Sequence, residues 1–94
     1  MFILVKIILT IRVEEVFSLK QKRSIIKRIK THVYNTYNAC IAESHEQDSL
    51  LYLGLTIGLL SNKKDGLQSL LEKLTEEVEW ISEGYVEERI IDKI

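Results

Sequence analysis

The chain of 94 residues contains no proline and one cysteine, Cys40. A single cysteine can form neither an internal disulfide nor a zinc site built from cysteine pairs, and it fits a reducing compartment better than secretion. We expect Cys40 to be buried as a small apolar side chain. No apolar run approaches the roughly 18 residues that a membrane-spanning helix needs. Segment 2–9 is apolar, but Lys6 interrupts it and no cationic leader precedes it, so we expect a cytoplasmic protein.

The sequence also carries little net charge, since 13 Lys and Arg residues face 14 Asp and Glu residues. This balance argues against a protein that coats nucleic acid with a uniformly cationic surface. The length predicts a single domain over residues 1–94. Such a small domain removes only about 60 to 65% of its unfolded surface from water, so self-association is an option from the start.

Alternating and helical patterns predict the order β-α-β-β-α-β. Aliphatic residues at every odd position of 3–13 indicate a strand with one dry face. Ser18 is a candidate N-cap for a helix that reaches about Thr36, with apolar residues near 3.6-residue spacing. Strands over 37–44 and up to Leu60 follow, joined by a polar connection over 45–48.

A second helix is expected to open at an Asn62 N-cap with Asp65 in its first turn. The last strand is placed over 80–91, with Gly84 as a candidate bulge. This order is that of an α+β ferredoxin-like fold, a four-stranded antiparallel sheet with both helices on one face.

Charge is distributed unevenly along the chain. Six basic residues and no acid lie between Val16 and Ala42, whereas eight acids lie between Leu71 and Ile94. At 100° per residue, four cations of the first helix fall within about 80° of one another, and Tyr34 lies in the same sector. We call these residues the basic stripe: Lys20, Arg23, Lys27, Lys30 and Tyr34. Lys22 lies beside the apolar face, and we group it with the stripe as a supporting contact.

Two interpretations of the basic stripe remain open. Any amphipathic helix needs a polar face, so the charges could serve solubility alone. However, helices that need only solubility usually mix Glu with Lys, and cations in a first turn repel the helix dipole. A phosphate would relieve that repulsion, as would an internal carboxylate from Glu14, Glu15 or Glu43. For Glu43 we expect an ion pair with a cation such as Lys22 or Arg23.

Several segments match a known pattern together. The strings SLKQKR at 18–23, NACIAE at 38–43, Gln47-Asp48 and LSN at 60–62 resemble the YlxP-like family of small bacterial proteins of unknown function. The resemblance implies a ferredoxin-like fold and a gene often found beside genes for translation and ribosome maturation. It therefore implies ribosomal RNA or a ribosomal protein as a partner, and it carries no catalytic residues over.

The sequence argues against two other functions, a phosphatase and a metal site, and leaves one alternative. The fold is shared with acylphosphatases, but residues 13–18 contain no glycine and two acids, which suits no phosphate cradle. His45 and its polar neighbours match no metal-ligand spacing, so we expect no enzyme, no metal and no cofactor. The alternative function is a homodimeric interaction module without a nucleic-acid role. Its surface is the uncovered sheet face, with apolar residues at Phe2, Leu4, Ile8, Tyr52 and Leu60.

Overall fold

A computed structural model of the chain describes residues 2–62 and 65–94. Its elements follow the predicted order. They are β1 (Ile3–Arg12), α1 (Leu19–Tyr37), β2 (Cys40–His45), β3 (Tyr52–Ser61), α2 (Leu67–Ser82) and β4 (Tyr85–Lys93). The strands form one antiparallel sheet in the order β2-β3-β1-β4, and the ferredoxin-like α+β fold is confirmed.

The core lies between the helices and one face of the sheet. Every odd residue of β1 from Val5 to Ile11 is fully buried, as alternation requires of a strand covered on one side. The odd residues Leu53, Leu55 and Ile57 of β3 are also fully buried, and α1 and α2 add Ile29 and Leu74 to the same cluster. The even residues of β1 point to the opposite side, which we call the open face.

The start of α1 was predicted correctly. Ser18 has extended backbone angles, and its hydroxyl accepts a hydrogen bond from the amide of Gln21 at 3.1 Å. The Gln21 side chain in turn donates to the Glu15 carbonyl and accepts from the Phe17 amide, both at 2.8 Å. These bonds fix the loop that leads into the helix.

The second helix begins later than predicted. α2 opens at Leu67, and its N-cap is Gly66 with φ of 83° and no side-chain capping bond. Asn62 directly follows β3 and is not the N-cap of α2; residues 63 and 64, which the prediction also placed in the helix, lie outside the described residues. Only glycine adopts this left-handed angle without strain, so Gly66 rather than an Asn side chain sets the helix start.

Three other boundaries differ from the prediction. α1 runs through Tyr37 and ends at Asn38 in the left-handed conformation, so β2 starts at Cys40 rather than at residue 37. α2 continues to Ser82, which removes Trp80 from the last strand. The irregularity in β4 is not at Gly84, because the register shifts between Thr10 and Ile11 of β1 and leaves Glu87 as the extra residue.

Candidate nucleic-acid interface

The basic stripe lies on the outer side of α1, away from the sheet. Lys20, Arg23, Lys27 and Lys30 are all exposed, and so is Tyr34. With a rise of 1.5 Å per residue, the four cations extend over about 15 Å of the helix. α1 contains no acidic residue, so no opposite charge interrupts this row.

The stripe cations lack internal partners among the residues that the structure describes. No carboxylate lies within 4.0 Å of Lys20, Arg23, Lys27 or Lys30 in residues 2–62 and 65–94. An acid of the same chain could have paired with these cations, as two acids on α2 pair with basic side chains outside the stripe. Glu72 contacts Arg89 at 2.8 Å, and Glu77 contacts His32 at 2.5 Å.

These two contacts also change the acidity of their carboxyl groups. The hydrogen bond from Arg89 holds the pKa of Glu72 below its usual value, and the hydrogen bond with His32 does the same for the pKa of Glu77. Burial, together with the nearby Glu77 carboxylate, raises the pKa of Tyr37 to about 12. Glu72 and Glu77 are therefore paired with Arg89 and His32 rather than with the stripe, whose cations stay open to solvent.

Lys22 does not belong to this surface, and grouping it with the stripe as a phosphate contact is contradicted by its position. The residue is 1% exposed, and its ammonium donates to the carbonyls of Glu46 at 2.5 Å and Ser49 at 2.6 Å. The Glu43 carboxylate lies 3.5 Å from the same nitrogen. The predicted pairing of Glu43 is thus confirmed with Lys22 as its partner. Every donor of the ammonium points inward, so none is free for a phosphate.

A groove of about 620 Å³ lies beside the first turns of α1. Its walls include Lys20 and Arg28, but also three glutamates, Glu14, Glu15 and Glu83. The acids oppose an anion in the groove itself. The exposed row along the helix is therefore a better surface for phosphates than the helix start that the sequence had favoured.

A polar network that the sequence analysis did not anticipate crosses the open face. The imidazole of His45 contacts the hydroxyls of Ser44 and Thr10, each at 2.8 Å, and Thr56 donates to Ser44 at 2.7 Å. His45 is paired with Gly54, where a side chain would leave no room for the ring. The glycine within an otherwise aliphatic strand was the available signal.

The structure also shows where the single cysteine lies. Cys40 is exposed at the start of β2 and donates to the Gly58 carbonyl at 3.5 Å, so the expectation that it is buried is wrong. Neighbours in β2 alternate between the two faces, and Cys40 falls on the open one.

Within residues 2–62 and 65–94 we find no group of three or more His, Cys, Asp or Glu side chains that could hold a metal ion. No helix in these described ranges has the length and apolar character to cross a membrane.

Comparison with known proteins places the chain in a family. The model of a protein family of unknown function, DUF503, matches residues 5–91. The chain belongs to the DUF503 family. We found no curated protein whose sequence matches it. Among solved structures, the de novo designed protein Foldit4 is similar with a TM-score of 0.55 and 14% identity, over 100% of this chain and 97% of that one. At this identity the similarity concerns the fold alone.

Proposed function

We propose that this DUF503 protein is a non-enzymatic accessory protein of the cytoplasm that binds RNA through the basic stripe of α1. The observation that carries the proposal is the row of exposed cations, Lys20, Arg23, Lys27 and Lys30, with no carboxylate within 4.0 Å in the described part of the chain. A phosphate backbone supplies regularly spaced negative charges, and its binding is driven by release of counterions.

The exposed cations and the one tyrosine of the stripe indicate how the protein would recognise RNA. Lysine and arginine contacts to phosphates position a protein without reading bases, so we expect recognition of RNA shape rather than sequence. Tyr34 is exposed at the far end of the row, where its ring can stack on one unpaired base. On the open face Arg12 already lies over the ring of Tyr52 at 5.6 Å, which leaves that aromatic less available for a base.

The choice of RNA over other polyanions has a second support. The segment 18–23 resembles YlxP-like proteins, whose genes often accompany those of ribosome maturation, and the cations of the stripe begin within that segment. Ribosomal RNA is therefore the partner that we propose. An acidic surface of a ribosomal protein is the competing partner, and the experiment below distinguishes the two.

The test compares two double charge reversals with the same net charge. We expect Lys20→Glu/Lys27→Glu to lose binding to a fluorescently labelled RNA hairpin in low salt, measured by fluorescence anisotropy. Lys73→Glu/Lys93→Glu reverses two exposed cations outside the stripe and should bind nearly as well as the wild type. Equal losses in both variants, or no salt-sensitive binding by the wild type, would contradict the proposal. The second result would favour a protein partner.

A further inference from the structure

The open face of the sheet is uncovered and carries large apolar side chains. The exposed fractions are 69% for Phe2, 44% for Leu4, 62% for Leu60, 48% for Ile90 and 73% for Ile94. Together these five side chains expose on the order of 600 Å², which approaches the ~800 Å² per partner of a standard stable interface. A patch of this size on a small domain indicates an interaction surface.

The large apolar side chains of this face lie mainly on two neighbouring strands. β2 and β3 present small residues such as Ala42, Thr56 and Gly58. β1 and β4 present three successive cross-strand pairs: Leu4 with Ile94, Lys6 with Asp92, and Ile8 with Ile90. The middle pair is ionic, with 3.9 Å between the Lys6 ammonium and the Asp92 carboxylate. Both of its side chains are about half exposed.

This pattern is complementary to itself. In a two-fold interface the same patch serves both subunits, so residue i meets residue j and residue j meets residue i. A two-fold axis along the strands, between β1 and β4, brings each β1 residue to the partner's copy of its own β4 neighbour. Leu4 then meets Ile94 of the partner subunit, Ile8 meets Ile90 of the partner subunit, and Lys6 meets Asp92 of the partner subunit.

We propose that a second copy of this chain covers the open face in this arrangement, with the two sheets packed face to face. The Lys6–Asp92 pair argues for a copy rather than a lipid or an apolar ligand, since burying these charges against hydrocarbon gives them no new partner. Against a second copy each charge gains an opposite charge. The helices, and with them the basic stripe, remain on the outside, so this proposal does not depend on RNA binding.

The first test is the oligomeric state. We expect a dimer by light scattering and analytical ultracentrifugation at tens of micromolar, and about a tenfold or larger rise in dissociation constant for Ile90→Lys. Trp80→Lys is the matched control, because Trp80 is an exposed apolar residue on α2, on the other side of the molecule. Circular dichroism should show both variants folded. A monomeric wild type, or a dimer that Ile90→Lys leaves intact, would overturn the proposal.

A second test addresses the pairing across the two-fold axis. The double variant Lys6→Glu/Asp92→Lys keeps an ion pair within each chain and rebuilds the pairs between identical chains. A mixed dimer with the wild type places like charges opposite each other at both contacts. We therefore expect native mass spectrometry of an equimolar mixture to show far fewer mixed dimers than the statistical half. Statistical mixing would overturn this arrangement, because an ion pair confined to one chain has no effect on mixing.

Discussion

The ammonium group of Lys22 on α1 lies 3.5 Å from the carboxylate of Glu43 on β2, and the turn between β2 and β3 covers the lysine. The nitrogen also donates to the carbonyls of Glu46 and Ser49. This lysine thus joins the helix to a turn more than 20 residues further along the chain. It contributes to stability, unlike the neighbouring cations that face solvent.

Lys22→Met should therefore destabilise the fold strongly. The substitution removes the charge and leaves a partly buried carboxylate and two carbonyls without their donor, for a loss of about 3 kcal/mol. Urea denaturation followed by circular dichroism measures this difference in the free energy of unfolding. Lys20→Met, an exposed change two residues earlier, is the control and should stay within about 0.5 kcal/mol of the wild type. Equal stabilities of the two variants would contradict the role given to Lys22.

RNA binding should weaken steeply with salt. Four phosphate contacts predict a slope of roughly −2.8 to −3.6 in a plot of log binding constant against log salt concentration. Replacing Lys27 with Ala should make that slope shallower by about 0.7 to 0.9, because one contact is lost. The triple variant Lys20→Glu/Arg23→Glu/Lys27→Glu should keep the fold and lose salt-sensitive association altogether. A slope that Lys27→Ala leaves unchanged would show that this residue does not contact the phosphates.

The contact between His32 and Glu77 should make stability depend on pH. The folded protein lowers the pKa of Glu77, chiefly through the hydrogen bond with His32, so the stabilisation is present above the ordinary carboxyl pKa. It is lost as the pH falls through the lowered folded-state value. Because the pair is partly exposed, we expect the wild type to exceed Glu77→Gln by at most about 1 kcal/mol at pH 7. Denaturation at several pH values should show the difference shrinking in acid.

Gly54 and Gly58 should differ in their tolerance of a side chain. A Cβ at Gly54 would lie 2.2 Å from the carbonyl oxygen of His45 and 2.5 Å from its ring, and the backbone cannot move away cheaply. At Gly58 the nearest atom is the Cys40 sulfur at 2.8 Å, which can rotate. Gly54→Ala should therefore cost about 2 kcal/mol or more, and Gly58→Ala less than about 1 kcal/mol. If thermal unfolding shows a similar loss of stability in both variants, this explanation is wrong.

Local sequence signals were sufficient for most of the fold. The dry face of β1 and the Ser18 cap of α1 depend on neighbours in the chain, and both are found where the pattern puts them. The start of α2 was missed because an Asn before an acid is a common cap, while the left-handed angle of Gly66 leaves no pattern of its own. The end of α1 was misplaced because Tyr37 suits the helical spacing as well as the alternation of a strand.

The candidate site was harder to predict, since it depends on contacts between distant residues. The spacing along α1 correctly grouped Lys20 with Lys27, because both positions share one side of the helix. The same spacing puts Lys22 beside the apolar face, but it does not show what the ammonium group contacts. Its burial requires the turn over 46–49 to fold against the helix. The periodicity of the sequence gives no information about that contact. Cys40 was misjudged for the same reason, because the pairing of β2 with β3 decides which face it shares.

Lys22 anchors the turn over 46–49 to α1, and the nature of this contact determines which substitutions the turn can accept. Two of the oxygens bound by its ammonium, those of Glu46 and Ser49, belong to the main chain, which every amino acid possesses. Side chains in the turn are thus interchangeable as far as that attachment is concerned, whereas only arginine could replace the lysine with the same charge and a comparable reach, and its planar guanidinium has a different donor geometry. Relatives can accumulate differences throughout this hairpin and still anchor it to the helix, provided that one cation stays in place.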